Sequence, residues 1–230
     1  IGAACARMLH AEGCDVFLHY RSSKRNASEL VDELNHKRAG SVKMMQADLT
    51  NMDELIRLTQ EIKSVWGALD VLVNNASTFY PQVLEEVSEQ DWDILLGSNL
   101  KAPFFLVQQL ASLLNASKGS VVNIIDIHAE RGLKGYPVYS IGKSGLAAMT
   151  KVLAKELGPN IRVNGVSPGA VLWPEGEMSE QDKAEIIQKV ALKRTGETND
   201  IAKAVRFLIE DASYVTGQII SVDGGRTLFC

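Results

Sequence analysis

The sequence predicts an α/β fold in which a parallel sheet is wound with helices on both faces. Three observations point there. Short apolar runs of strand length alternate with longer segments of helical period. Those runs are apolar at consecutive positions, as strands buried on both faces are. The 230 residues carry neither an internal repeat nor a Pro/Gly-rich linker, so one domain spans 1–230.

The elements follow in order. Ile1, Ala4, Cys5, Met8 and Leu9 keep helical spacing from the first residue, and Gly13 ends that helix. The sequence opens without Met and inside a helix, so a short preceding stretch is expected. Residues 16–20 (VFLHY) read as a strand, and residues 24–38 place Leu30, Val31 and Leu34 on one helical face. Residues 42–46 read as a second strand. Residues 53–66 repeat the helical period with Leu55, Ile56, Ile62 and Val65. Residues 70–73 lead into Asn74-Asn75-Ala76 as a third strand. Residues 88–115 read as one long, mostly helical stretch kinked at Pro103. Residues 121–125 form the fourth strand, and 138–157 a helix that Gly158-Pro159 stops. Residues 161–166 and 219–222 supply the last two strands, with helices near 180–191 and 199–210 between them.

Composition narrows the function. Lys plus Arg is 24 and Asp plus Glu is 28, a net charge of −4. Such a chain has no electrostatic footprint for nucleic acid or an anionic membrane. No apolar run approaches the ~20 residues of a spanning helix, and no signal peptide is visible. Cys5, Cys14 and Cys230 form no C-x-x-C pair, so a reduced, cytoplasmic setting is expected. His10, His36 and His128 have no metal-like spacing and read as structural or surface residues.

In an open parallel sheet, ligands bind beyond the carboxyl ends of the strands. The residues there are Arg21-Ser22-Ser23, Ala47-Asp48-Leu49, Asn74-Asn75-Ala76-Ser77, Asp126 and Ser167-Pro168-Gly169. Gly2 opens a helix, and a helix N-terminus attracts phosphate. A protein preferring NAD usually puts an acid after the strand that ends at Tyr20. Here a guanidinium and two hydroxyls stand in its place, which suits a 2′-phosphate. The plainer reading of Arg21, Lys24 and Arg25 is a solvated basic helix start.

Tyr139 and Lys143 are four apart and share a helical face. An ammonium beside a phenol favours the phenolate and is expected to lower its pKa, making Tyr139 a usable proton donor. Asp126 ends the preceding strand, where a carboxylate reaches the same pocket. The plainer reading is an Asp126–Lys143 ion pair.

Over nearly its whole length the sequence resembles the short-chain dehydrogenase/reductase family. The pieces that carry the resemblance are Asn74-Asn75-Ala76, Asn99, Tyr139-x-x-x-Lys143, Pro168-Gly169 and Val222-Asp223-Gly224-Gly225. The family's glycine-rich turn is represented only by a final glycine, Gly2. The resemblance implies a doubly wound Rossmann-type fold whose first strand lies upstream of Ile1. Within the family the sequence is most similar to pteridine reductases. It shares with them Asp126, where the usual member has Ser, His19-Tyr20-Arg21-Ser22, the stretch 75–81 (NASTFYP) and Gly135-Tyr136-x-x-Tyr139.

That resemblance implies NADPH as cofactor and a pterin, or also a folate, as substrate. Tyr139 is then the proton donor, Lys143 holds the nicotinamide ribose, Asp126 orients Tyr139 or relays its proton, and Asn99 continues a water-linked relay. Arg21, Ser22 and Ser23 meet the 2′-phosphate, with Tyr20 beside them. Asp48 and Leu49 border the adenine, and Asn75 and Ala76 line the groove. Pro168 and Gly169 lead to Val171, whose backbone meets the carboxamide. Phe79 and the nicotinamide sandwich the pterin, Ser77 bonds its polar edge, and Trp173 closes the substrate side. The plainer readings are a core aromatic for Phe79 and a helix-packing residue for Trp173.

Two alternatives stand beside this: a carbonyl reductase of the same family acting on 3-oxoacyl carrier substrates, and a silent dinucleotide-binding regulator. The first predicts Ser at position 126, and the second predicts loss of Tyr139 or Lys143. The resemblance also implies a homotetramer, with helices 88–115 and 138–157 in one interface and Leu228-Phe229-Cys230 in another.

Overall fold

A computed structural model describes every residue except 172, 174–177 and 230. The chain opens with α1 (Gly2–Ala11), β1 (Val16–Tyr20), α2 (Lys24–Lys37), β2 (Val42–Gln46), α3 (Met52–Val65) and β3 (Val71–Asn74). It continues with α4 (Glu89–Leu96), α5 (Ala102–Ser117), β4 (Ser120–Ile124), α6 (His128–Arg131) and α7 (Pro137–Leu157). Then come β5 (Arg162–Pro168), α8 (Glu180–Gln188), α9 (Thr198–Glu210) and β6 (Ile219–Val222).

Every strand pair is parallel, in register Val16↔Val42, Asn74↔Asn123, Val122↔Asn164 and Val166↔Ile220. The strands form two sheets, β1-β2 and β3-β4-β5-β6, with helices packed on both faces as the Rossmann-type resemblance implies. Among the described residues no strand joins β1 to β3.

The helices make two layers. Val121 of β4 and Ile125 just after it pack against Leu110 and Leu114 of α5 and Leu146 and Leu153 of α7. Val122 and Ile124 turn the other way, toward Cys5 of α1 and Ile201, Val205 and Leu208 of α9. The two-residue period of a strand thus puts apolar side chains on both faces, which is why the run shows no polar alternation. In β1, Val16 and Leu18 meet α2, and Phe17 meets the cluster of α3 and α5.

Local signals explain the boundaries. Gly13 has φ +98, so it closes α1 in a conformation that favours glycine. The side chain of Asn51 accepts from the N–H groups of Asp53 and Glu54 and starts α3. Ser88 and Asp91 form a capping box on α4. The expected single helix over 88–115 is two helices joined by a turn of π-helix, Gly97–Lys101. Pro103 sits in the first turn of α5, directly after that π turn. The backbone stays helical from α4 through this turn into α5, so the missing N–H of Pro103 interrupts the regular ladder next to the π turn.

Candidate active site

Because all strands are parallel, their carboxyl ends share one edge, and the turns there hold the site. Asp126 follows β4. Its Oδ1 accepts the backbone N–H of His128 at 2.8 Å, which fixes the carboxylate. Its Oδ2 accepts the Tyr139 hydroxyl at 2.7 Å. Tyr139 lies in the first turn of α7, after Pro137, and is 4% exposed. One helical turn on, Lys143 is 2% exposed and donates to the carbonyl of Ile124 at 2.9 Å.

The electrostatics differ from the expectation. The Tyr139 pKa is raised, by burial first and then by the charge and hydrogen bond of Asp126. Lys143 is not among the groups that set it: its Nζ lies over the Tyr139 ring, 5.8 Å from the centroid, and donates to the Ile124 carbonyl. Burial pushes the Lys143 ammonium down to about 8, against the pull of Asp126. No Asp126–Lys143 ion pair forms among the described residues, so that plainer reading does not hold. A phenol that keeps its proton beside a carboxylate is arranged to donate that proton on demand and recover one.

Asn99 stands in the π turn and uses its whole amide. Its Nδ2 donates to the carbonyls of Thr78 at 2.8 Å and Leu95 at 3.0 Å, and its Oδ1 accepts the Ser77 hydroxyl at 2.7 Å. In this structure it therefore clasps the loop after β3 to the π turn. Two residues beyond Ser77, the Phe79 ring stacks on Tyr136 at 4.4 Å and 7°, and meets Tyr139 edge-on at 4.7 Å and 77°. Phe79 is 42% exposed, so it is a surface ring at the site and not a core aromatic.

Between the two sheets lies a cavity of about 660 Å³, with β1 on one side and β3 on the other. Gly2, Tyr20, Arg21, Ser22, Ser23, Asp48, Leu49, Asn75, Ala76 and Ser77 all line it. A Cβ on Gly2 would stand 2.6 Å from Asn75 Nδ2, so the helix start and the third turn meet closely. His19 bonds the carbonyl of Ala47 at 2.8 Å and ties the ends of β1 and β2. Two hydrogen bonds from Thr50 hold the Asp48 carboxyl below the usual carboxylate range. The Oδ1 of Asn74 is buried on this cavity without a partner among the described residues. Its lining thus includes the Arg21 cation, the Ser22 and Ser23 hydroxyls, the start of α1 and the Asn74 acceptor, beside apolar residues of the strands and helices such as Leu9, Leu18, Leu30, Leu58 and Leu72. The cation, hydroxyls and helix start among them suit anionic groups of a ligand.

Other expected residues lie elsewhere. Pro168 and Gly169 border the Asp126 turn, where the Ile127 N–H donates to the Pro168 carbonyl at 3.3 Å. Gly169 is required by contact: a Cβ would stand 2.6 Å from the Cα of Asp223. Val171 is partly buried against the α1–α9 cluster. Trp173 is half-buried beside residues outside the described part. Leu228 and Phe229 are exposed, and Cys230 lies outside the described residues. Among the described residues no cluster could hold a metal. The sequence reading gave no role to Tyr136 or Thr78, nor to the buried chain Asn74–Asn123–Thr150 that links β3, β4 and α7. A polar residue inside the apolar run of β4 was the available signal for the last.

The fold and this proton-handling site define an oxidoreductase of the parallel α/β type. A family model described as enoyl-(acyl carrier protein) reductase matches residues 1–227. A 3-oxoacyl-[acyl-carrier-protein] reductase of Staphylococcus epidermidis is 36% identical over 229 residues, 98% of this chain and 93% of that protein. Pteridine reductase 1 of Leishmania tarentolae is 35% identical over 269 residues, 99% of this chain and 93% of that protein. A blue fluorescent protein from a metagenomic library, solved in complex with NADPH, superposes with a TM-score of 0.90 at 34% identity, covering 98% of this chain and 92% of that one. The chain belongs to the short-chain dehydrogenase/reductase family.

Proposed function

We propose that the chain reduces a pterin, dihydropterin to tetrahydropterin, with NADPH, folates being related substrates. The observation that carries this is the 2.7 Å hydrogen bond from the Tyr139 hydroxyl to the Asp126 carboxylate. A pterin has ring nitrogens that gain a proton during reduction, and an acid pair suits that need better than a lone hydroxyl. NADPH supplies the hydride when bound. Arg21, Ser22 and Ser23 would hold its 2′-phosphate, Asp48 and Leu49 its adenine, and Gly2, Asn75 and Ala76 the middle of the groove. Lys143 would hold the nicotinamide ribose, with the Val171 backbone at the carboxamide. Tyr139 then holds the proton at its Oη and gives it to the substrate nitrogen. Asp126 keeps the hydroxyl in place and returns a proton to it. Ser77 and Phe79 bind the ring by its edge and its face, and Trp173 covers it.

A second reading, reduction of a 3-oxoacyl thioester, is favoured by the names of relatives. Staphylococcal and Thermotoga maritima proteins at 34–36% identity are named 3-oxoacyl-[acyl-carrier-protein] reductases. That support outweighs the single pteridine reductase cited above, whereas Asp126 and the exposed Phe79 weigh toward the pterin.

NADPH oxidation with dihydrobiopterin, dihydrofolate and an acetoacetyl thioester separates the two. The pterin reading expects dihydropterin turnover to dominate. It also expects Asp126→Ser to lose most of that turnover while NADPH affinity is kept. Turnover of the thioester alone, or full pterin turnover in Asp126→Ser, overturns it in favour of the carbonyl reading.

A further inference from the structure

We propose that Tyr136 is a positioning residue that sets the plane of Phe79, and through it the preference of the site for a flat heteroaromatic ring; this rests on the pterin reading above. A phenylalanine on a loop with 42% of its surface exposed has little packing of its own to hold it. Two contacts supply what the loop lacks. Tyr136 lies nearly parallel to it, 4.4 Å between centroids and 7° between planes. Tyr139 meets it at 77°, so the ring is also held beside the proton-donating side chain.

Tyr136 is itself well placed to act as a reference surface. It is the residue before α7, and Pro137 locks the first backbone angle of that helix. The Ser140 hydroxyl donates to the Tyr136 carbonyl at 2.8 Å and accepts the N–H of Leu133 at 3.0 Å. The N–H of Gln82 donates to the Gly135 carbonyl at 2.7 Å, clamping the Phe79 loop to the Tyr136 loop. The rings of Tyr136 and Phe79 thus form one two-ring platform whose orientation is set by the start of α7. A planar heterocycle gains from a platform of fixed tilt, because stacking depends on ring offset and angle. A flexible acyl chain gains only contact area, which tilt affects little.

The test is steady-state kinetics on dihydrobiopterin and on an acetoacetyl thioester, with wild type, Tyr136→Ala, Tyr136→Leu and Tyr136→Phe. NADPH affinity, measured separately, reports that each variant is folded. The expected result is a rise of roughly three- to tenfold in KM for the pterin in Tyr136→Ala, the range an aromatic pair contributes beyond its burial. The pterin kcat should change less than KM, the thioester KM should move less than the pterin KM, and Tyr136→Phe should restore the wild-type value. If Tyr136→Ala loses NADPH affinity, Tyr136→Leu, which fills the space without an aromatic face, is read in its place with the same expectation. An unchanged pterin KM in the folded non-aromatic variant, or equal rises for both substrates, overturns the proposal. Wild type that neither binds nor turns over the pterin overturns the substrate reading itself, and this inference with it.

Discussion

Tyr139 joins two contacts of the site: it donates to Asp126 and meets the Phe79 ring in a T-shaped arrangement. Its raised pKa, caused first by burial, keeps the hydroxyl protonated near neutrality. Tyr139→Phe removes that proton and little volume. Turnover should fall by roughly 100-fold or more, the usual weight of a positioned general acid, while substrate affinity changes little. A variant retaining most of its kcat would place the proton source elsewhere. Lys143 carries a separate signature. Its pKa falls from the ordinary 10.5 to about 8 on burial, so between those values the unfolded chain binds the extra proton. Stability therefore rises with pH across that window and is lower below about 8. The difference in unfolding free energy between wild type and Lys143→Met should grow in favour of wild type from pH ~8 to ~10.5, by up to about 3 kcal/mol. Denaturant titrations at several pH values read it, and a flat difference contradicts a Lys143 pKa depressed by burial.

The π turn Gly97–Lys101 is the element that converts sequence into site geometry. It brings the Asn99 amide under the loop 77–79, where it bonds both the Ser77 hydroxyl and the Thr78 carbonyl. Such irregular turns recur at functional sites because they re-aim side chains that a regular helix would bury. Asn99→Ala strands both of those groups. The expected cost is roughly 1–3 kcal/mol in unfolding free energy. A raised substrate KM should accompany it, since the Phe79 loop loses its clasp. An unchanged denaturation midpoint would show that water replaces the amide without loss. The sequence showed Asn99 through its family resemblance, but helical periodicity hid the π turn. Apolar spacing on either side of 97–101 is that of an ordinary helix, and one extra residue in a turn leaves no mark in composition.

Across the whole molecule, the parallel register sends every functional turn to one edge, while α5 and α7 present their outer faces to solvent. Those faces carry Phe104, Ile141 and Val152, the last two 48% and 54% exposed. Exposed apolar side chains grouped on two long helices are what a subunit interface uses. We expect a homotetramer built on α5 and α7. Light scattering at micromolar concentration should give four times the 25.1 kDa chain mass, and a stable single-chain mass would refute it. No helix among the described residues is long and apolar enough to cross a membrane.

By itself the sequence determined the class of fold and marked the candidate residues at the ends of its strands. Strand-length apolar runs and helical periods are local, and the i, i+4 spacing of Tyr139 and Lys143 survives in any helix. It also put Arg21, Ser22 and Ser23 after a strand that ends at one edge of the sheet. Only the tertiary structure decided how those groups act on one another. Spacing suggested that Lys143 would lower the Tyr139 pKa. Packing buries both, turns the ammonium to the Ile124 carbonyl and leaves Asp126 as the group bonded to the phenol. The stack of Phe79 on Tyr136 joins residues far apart in the chain, and no local pattern encodes it. Periodicity reports what one segment buries; pKa shifts, ring stacking and cavities depend on what a second segment brings to it.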